Sequence, residues 1–398
     1  MDPKKRAMQL RNTLASKDGR ILVVDFSKTQ QRGDTSKIID AMPNAEGKLV
    51  FRTKANIKPI DAIASRIYKT EFFDASRRSD DDIKLFVNRQ EFDFPLWWMN
   101  HAGFSMQKIH QYNLPFILQV AGCNFHNGTR TGGCHYCFVD DKSNDGLISE
   151  GKTFLGIADT IGSMERGREN VKALYKEKGI EDMDMKVLRI SGGEPTIVLD
   201  WALGLWREIE KRRLDIVGQL DTNLSTGTMI DAFEHEGIYE KNILKKLSEF
   251  PVKILAGIKG ISDENLRDNV QAAASMTMQY YSLKKLIKAG LDVYPQAYNP
   301  DPERLAIFLS LMDDIFENFS LRLHIGQLKS EYLPTQARLT AEAKALGADP
   351  KEFISKKDKE WKENYRRNCE IMDDYLRENH GVGYQQVARP EIKMVIKD

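Results

Sequence analysis

From residue 114 onward, short apolar runs rich in β-branched residues alternate with longer stretches whose apolar positions recur every three or four residues. That alternation is the pattern of a parallel sheet built from βαβ units. The strand-like runs are Leu114–Val120, Val187–Ser191, Asp215–Thr222, Val252–Lys259, Leu291–Tyr298 and Leu321–Leu328. Between them the spacing predicts helices near Ile157–Lys178, Asp200–Arg212, Ile243–Glu249, Ala272–Ala289 and Pro302–Asn318. Strands joined by right-handed helical crossovers form either an open sheet or a barrel, complete or partial. Periodicity alone does not choose between them.

Upstream, strand-like runs at Ile21–Phe26, Leu49–Thr53 and Ile83–Asn88, with a helical stretch around Pro59–Tyr68, read as an α+β extension over residues 1–110. Arg77–Asp82 reads as a solvated loop. The aromatic stretch Phe92–Trp98 reads as packing, with Trp97 and Trp98 in an interdomain seam. The α/β unit then occupies 111–330, and a helical tail occupies 331–398. In the tail, Asp349-Pro350 starts a long helix that runs to about Asn379 and stops at Gly381. Trp361, Tyr365, Cys369, Met372 and Leu376 share one apolar face of it, so Cys369 reads as a core thiol.

The chain has 398 residues, 41% of them hydrophobic, which is ordinary for a globular protein, and a net charge of +1 that predicts no general affinity for nucleic acid or membrane. Four cysteines, three of them clustered, do not make a disulfide framework, and no apolar run is long enough to span a bilayer. A cytoplasmic, reducing location is the expectation. The basic start Met1–Arg6 leads into no signal-like apolar region and reads as a frayed polar end.

The chemistry concentrates at two strand ends. Cys123 follows the first strand, and Cys134 and Cys137 form a Cys-x-x-Cys pair beyond a ten-residue loop in which Gly128, Gly132 and Gly133 permit sharp turns. Three thiolates can hold structural zinc, with His126 or His135 as fourth ligand. They can equally hold an iron–sulfur cluster, and one that needs four ligands is left with an open iron. Ser191-Gly192-Gly193-Glu194 ends the second strand, where glycines admit a close ligand and the acid can pair with a cation. Ligands of parallel α/β folds gather at the carboxyl ends of strands, so the two motifs should meet on one face. Gln296, His324 and Gln327 are polar positions on or beside otherwise apolar strands and are candidate substrate contacts.

Cys123, Cys134 and Cys137 with Gly192-Gly193-Glu194 resemble the radical S-adenosylmethionine superfamily over about residues 114–328. The resemblance implies a partial (β/α)6 TIM-like barrel in which the three cysteines ligate one 4Fe-4S cluster and S-adenosylmethionine binds its unique iron. It implies that Tyr136 contacts the cofactor's adenine, that Gly192, Gly193 and Glu194 hold its amino group, and that Ser191 is cofactor-binding with them. Leu220-Asp221-Thr222-Asn223 and Gly257-Ile258-Lys259-Gly260 look like segments of the activating enzymes of glycyl-radical proteins, which would set Asp221, Asn223 and Lys259 around the cofactor or substrate. The family's commonest spacing leaves three residues between the first two cysteines, whereas this chain leaves ten, and that points to His126 and Arg130 in the longer loop as substrate contacts.

The resemblance further implies an oxygen-sensitive, hydrogen-abstracting enzyme in an anaerobic or low-oxygen cytoplasm. It would be served by a low-potential electron donor of flavodoxin or ferredoxin type and would act on a protein or peptide. An RNA-modifying enzyme is the second reading. The third, of a different class, is a zinc-stabilised binding module. No cobalamin-binding domain is recognisable, and Cys369 alone cannot build a second cluster.

Overall fold

The computed structural model describes residues 2–24, 39–43, 49–53, 111–112, 115–126, 132–176, 179, 181–387 and 392–397. The expectations for 59–68, 77–82, 83–88 and 92–98, and for Gly128 and Arg130, lie outside the described residues.

The N-terminal segment is not a frayed end. Asp2 accepts a hydrogen bond from the Lys5 backbone N–H and Pro3 takes the first turn, so helix α1 (Pro3–Leu14) starts at a capped end. Ala7, Leu10 and Leu14, spaced by three and four, are buried, and the intervening lysines and arginines had masked that stripe in the sequence.

The central sheet contains β1 (Ile21–Val24), β2 (Pro115–Val120), β3 (Lys152–Leu155), β4 (Val187–Gly192), β5 (Val217–Thr222), β6 (Val252–Ile258), β7 (Asp292–Tyr298) and β8 (His324–Gly326). The hairpin Ile39–Pro43 and Leu49–Thr53 pairs onto β2. Strands β2, β4, β5, β6, β7 and β8 lie side by side in chain order, all parallel. This is the βαβ succession that the alternating pattern predicts, and it makes the chain a mixed α/β protein with a parallel-rich central sheet. The crossovers run through α2 (Ile157–Lys176), α3 (Leu199–Lys211), α4 (Gly227–His235), α5 (Met276–Lys288) and α6 (Pro302–Ile315). At the other side β1 lies antiparallel between β2 and β3. Among the described residues β8 and β2 do not pair with each other.

The last predicted strand is shorter than its apolar run. Asn318 takes a left-handed conformation at φ 66°, and Asp313 accepts from the Ser320 backbone N–H, so Phe319–Arg322 closes into a helical turn before β8 begins. Two further helices follow β8: α7 (Leu333–Ala345), which the apolar pattern did not mark, and α8 (Pro350–His380). Helix α8 has the predicted ends, with Asp349 accepting from the Glu352 N–H and Gly381 closing it at φ 67°. Trp361, Met372 and Leu376 are buried on its inner face, and Cys369 packs beside them, partly buried against the main core.

Side chains alternate across each strand, and here the two faces differ in kind. Leu118, Ile190, Leu220, Ile254, Val293 and Ile325 point to the helices and join one continuous apolar core. The opposite face carries Arg189, Gln219, Asp221, Lys253, Gln296 and His324. A parallel sheet covered by helices on both sides is normally apolar on both. Here the polar side chains of the second face stand among buried apolar ones, Ile117, Val217 and Tyr294.

Candidate functional site

The two sequence motifs meet at the carboxyl ends of β2 and β4. The Gly193 N–H donates to the Val120 carbonyl at 3.0 Å, and the Glu194 N–H to that of Gly122 at 2.9 Å. Gly192 sits at φ 122°, and a Cβ on Gly193 would lie 1.8 Å from the Gly122 carbonyl oxygen. No side chain fits there. The residues preceding Cys123 and the Gly-Gly turn thus form one backbone surface, as their strand positions predicted.

The Cys-x-x-Cys turn is pinned from both sides. Gly133–Cys134 pairs with Val270–Gln271, and the His135 N–H donates to the Asn269 carbonyl at 3.1 Å. From the opposite side α7 grips the same turn. Thr335 donates to the Tyr136 and Cys137 carbonyls, each at 3.3 Å. The buried Arg338 donates to the Gly132 carbonyl at 2.8 Å and the Val139 carbonyl at 3.1 Å, and pairs with Asp141 at 2.7 Å. Nothing in the sequence announced this contribution, because residues 335–338 lie about 200 positions from the loop they hold.

The three thiols lie within electrostatic reach of one another in a buried setting. Burial pushes Cys123 up to about 12, with Cys134 and Cys137 adding to the shift. Burial likewise pushes Cys134 up to about 11, although the Lys259 ammonium pulls the other way. Lys259 rests over the Tyr298 ring at 4.2 Å and the Tyr136 ring at 5.8 Å. Burial pulls its ammonium down, but the facing Cys134, Tyr298, Cys137 and Cys123 outweigh that and hold it above its ordinary value. Tyr136 is buried, stacked on Tyr298 at 5.6 Å and meeting the edge of Trp361 at 6.4 Å.

Glu194 is fully buried. Its Oε1 accepts from the Thr196 hydroxyl at 2.5 Å and the Thr222 hydroxyl at 2.8 Å, and its Oε2 from the Asn223 N–H at 2.7 Å. Burial raises its pKa above the ordinary value against these bonds, and no cationic side chain among the described residues pairs with it. It braces the ends of β4 and β5. Ser191 is buried, and beside it burial pushes Asp221 up, but Arg189 at 2.6 Å outweighs this, with help from Gln219 and Ser191, and holds the carboxyl below its ordinary value. Asp221 is thus engaged in an ion pair. Asn223 is spent on Asn124 and Cys123.

The two histidines of the loop turn elsewhere. His126 meets Asp141 at 3.2 Å and His135 meets Glu342 at 2.9 Å. Among the described residues no three His, Cys, Asp or Glu side chains are gathered tightly enough for a single metal ion. Gln296 and His324 lie on the polar face, with Gln296 accepting from the Tyr298 hydroxyl at 2.8 Å, and Gln327 lies exposed beyond β8. Arg189, Gln219 and Lys253, which no sequence motif singled out, share that face. Their signal was present as single polar residues inside otherwise apolar strands.

No protein-family model matches the chain, and no curated protein matches it. Among solved structures it is similar to the cobalamin-dependent S-adenosylmethionine radical enzyme OxsB with aqua-cobalamin bound, at 11% identity and a TM-score of 0.36, over 79% of this chain and 36% of that one. The same enzyme with aqua-cobalamin and S-adenosylmethionine bound gives a TM-score of 0.35 at 11% identity over the same shares, and its apo, selenomethionine-labelled form gives 0.34 at 12% identity over 61% and 31%. The chain spans about a third of that enzyme's length. Likeness of this degree carries no argument about chemistry. No helix among the described residues is long and apolar enough to cross a membrane.

Proposed function

We propose that this protein is a radical S-adenosylmethionine enzyme, its parallel strands forming a partial (β/α)6 barrel. The observation that carries the reading is the joining of the Gly192–Glu194 turn to the backbone beside Cys123, which brings a three-thiol set and a close-approach glycine surface to one place. Three thiolates suit a cluster that keeps one iron open to a ligand, and among the described residues no three His, Cys, Asp or Glu side chains are gathered tightly enough for a single metal ion.

Cys123, Cys134 and Cys137 would hold the cluster. Bound there with S-adenosylmethionine, it would supply one electron to break a carbon–sulfur bond and yield a 5′-deoxyadenosyl radical that takes a hydrogen atom from the substrate. The chain's own residues do the holding. The Lys259 ammonium offsets the negative charge of three thiolates and can receive a carboxylate. Glu194, buried without a cationic partner, offers its charge to an ammonium group at the Gly192-Gly193 surface. Tyr136, Tyr298 and Trp361 form an aromatic wall that excludes water and can stack a base. On the polar face Arg189 pairs with Asp221 and Lys253 lies over the Tyr294 ring at 4.7 Å. The net charge of +1 gives no general affinity for a phosphate-rich RNA, which favours a protein or peptide as substrate. A flavodoxin- or ferredoxin-type donor would feed the cluster in a low-oxygen cytoplasm.

The test is an anaerobic iron, sulfide and zinc assay on reconstituted protein, followed by reduction and detection of 5′-deoxyadenosine. Nucleoside release from a cluster that Cys134→Ala abolishes is the expected result. One tightly held zinc and no cleavage would return the protein to a zinc-stabilised binding module.

A further inference from the structure

Two of the three cysteine sulfurs receive a side-chain N–H hydrogen bond. Asn144 Nδ2 donates to Cys137 Sγ at 3.6 Å, and Asn223 Nδ2 donates to Cys123 Sγ at 3.7 Å. Both asparagines are buried, at 3% and 6% exposure, in surroundings where a hydrogen bond counts for more than it does in water. We infer that Asn144 and Asn223 set the reduction potential of the iron–sulfur centre by donating to its ligating sulfurs. The inference rests on the cluster reading of the proposed function.

The orientation of each amide is dictated by its other partners. Asn144 Nδ2 also donates to the Val139 carbonyl at 3.2 Å, and a carbonyl can only accept, so the NH₂ end must face this way. Asn144 is itself held in place, because its backbone carbonyl accepts from the Cys123 N–H at 2.9 Å. One residue thereby touches the ligands on both sides of the loop.

Asn223 belongs to a closed ring. Asn124 Nδ2 donates to the Pro3 carbonyl at 3.2 Å and to the Ser225 hydroxyl at 2.7 Å. The Ser225 hydroxyl donates onward to Asn223 Oδ1, and Asn223 Nδ2 returns to Asn124 Oδ1 at 3.0 Å. With both hydrogens of Asn124 used, its oxygen is obliged to accept. Asn223 must then present its NH₂ group there, and its second hydrogen is left for sulfur. Ser225 is fully buried.

The electrostatic consequence has a sign. An N–H dipole aimed at a thiolate sulfur stabilises the more negative, reduced cluster over the oxidised one, and hydrogen bonds to sulfur are among the levers that set such potentials. Removing a donor should lower the potential. Among the described residues no side-chain amide donates to Cys134, and the Lys259 ammonium beside it acts in the same direction.

The experiment is anaerobic reconstitution of Asn144→Leu, Asn223→Leu and Ser225→Ala, measurement of iron and sulfide content, and a redox titration read by electron paramagnetic resonance. Leucine keeps the branched shape at somewhat greater bulk and removes the donors. Ser225→Ala touches no cysteine, removes the hydroxyl that donates to Asn223 Oδ1 and so loosens the amide, and serves should a leucine variant fail to fold. Expected is a full iron content with the ratio of reduced to oxidised cluster, at the wild-type midpoint, lowered about tenfold by each leucine variant. For a one-electron couple that is a shift of about 59 mV. Ser225→Ala should shift the midpoint the same way by less. Full iron content with an unmoved midpoint overturns the inference and leaves the proposed function standing, and variants that lose iron without a shift in the remaining cluster make the asparagines structural. A downward shift in a protein that does not cleave S-adenosylmethionine upholds the inference while the proposed reaction fails. A wild-type protein that assembles no cluster overturns both.

Discussion

At the scale of single residues, the tightest constraint in the site is Gly193. Any larger residue puts a Cβ 1.8 Å from the Gly122 carbonyl, and both partners are backbone that cannot swing aside. Gly193→Ala should therefore part the glycine turn from the cysteine loop at a cost of about 3 kcal/mol or more, read as a fall in denaturant midpoint together with reduced iron loading. Glu194 makes a subtler case. All the hydrogen bonds to its carboxylate come from donors, so Glu194→Gln turns one acceptor into a donor facing a donor inside a dry site. The cost should be about 1–3 kcal/mol in denaturant unfolding. An unchanged stability would mean that the carboxylate is not the brace between β4 and β5. Both residues stood out in the sequence. That Thr222 and Asn223 are the partners of Glu194 was not legible, because strand pairing alone brings them to it.

Among elements, the crossover helices and parallel strands came where the apolar periodicity put them, since each of those helices must cover the sheet and that need writes a stripe into the sequence, whereas α1 and α7 were not marked. Where the pattern misled, local polar chemistry had intervened, as at Asn318 and Asp313, which turn the start of the last apolar run into a helical turn ahead of β8. How helices are tied to strands was not legible. Arg168 on α2 meets Asp184, just before β4, at 2.5 Å. Burial pushes the Asp184 carboxyl up, yet the Arg168 hydrogen bond and charge prevail and its pKa lies below the ordinary 3.8. A carboxyl lowered by folding adds stability that is fully present above its unfolded value and is lost as pH falls through the lowered one. Asp184→Asn should thus cost about 1–2 kcal/mol at pH 7 and almost nothing well below pH 3, seen as urea midpoints that converge in acid. Equal losses at both pH values would assign the effect to packing.

For the molecule as a whole, the cysteine loop is held by parts of the chain far apart in sequence: β2 and β4 from one side, residues 269–271 from another, and α7 from a third. Arg338 carries the last of these. Arg338→Ala removes a buried guanidinium from two carbonyls and Asp141, and should cost about 3–5 kcal/mol and raise amide hydrogen exchange across 132–139 before it does so elsewhere. Exchange rising evenly over the chain would show that α7 supports the fold rather than the loop. By itself the sequence determined the βαβ succession, the ends of α8, and the cysteine and glycine motifs, because these depend on periodicity, capping chemistry and residue type, which are local properties. Only the tertiary structure decided that Asp221 is paired with Arg189, that His126 and His135 turn to carboxylates, that asparagines face two of the sulfurs, and that α7 closes on the loop. Those contacts join residues whose separation along the chain carries no record of their distance in space, so no pattern of neighbours could have announced them.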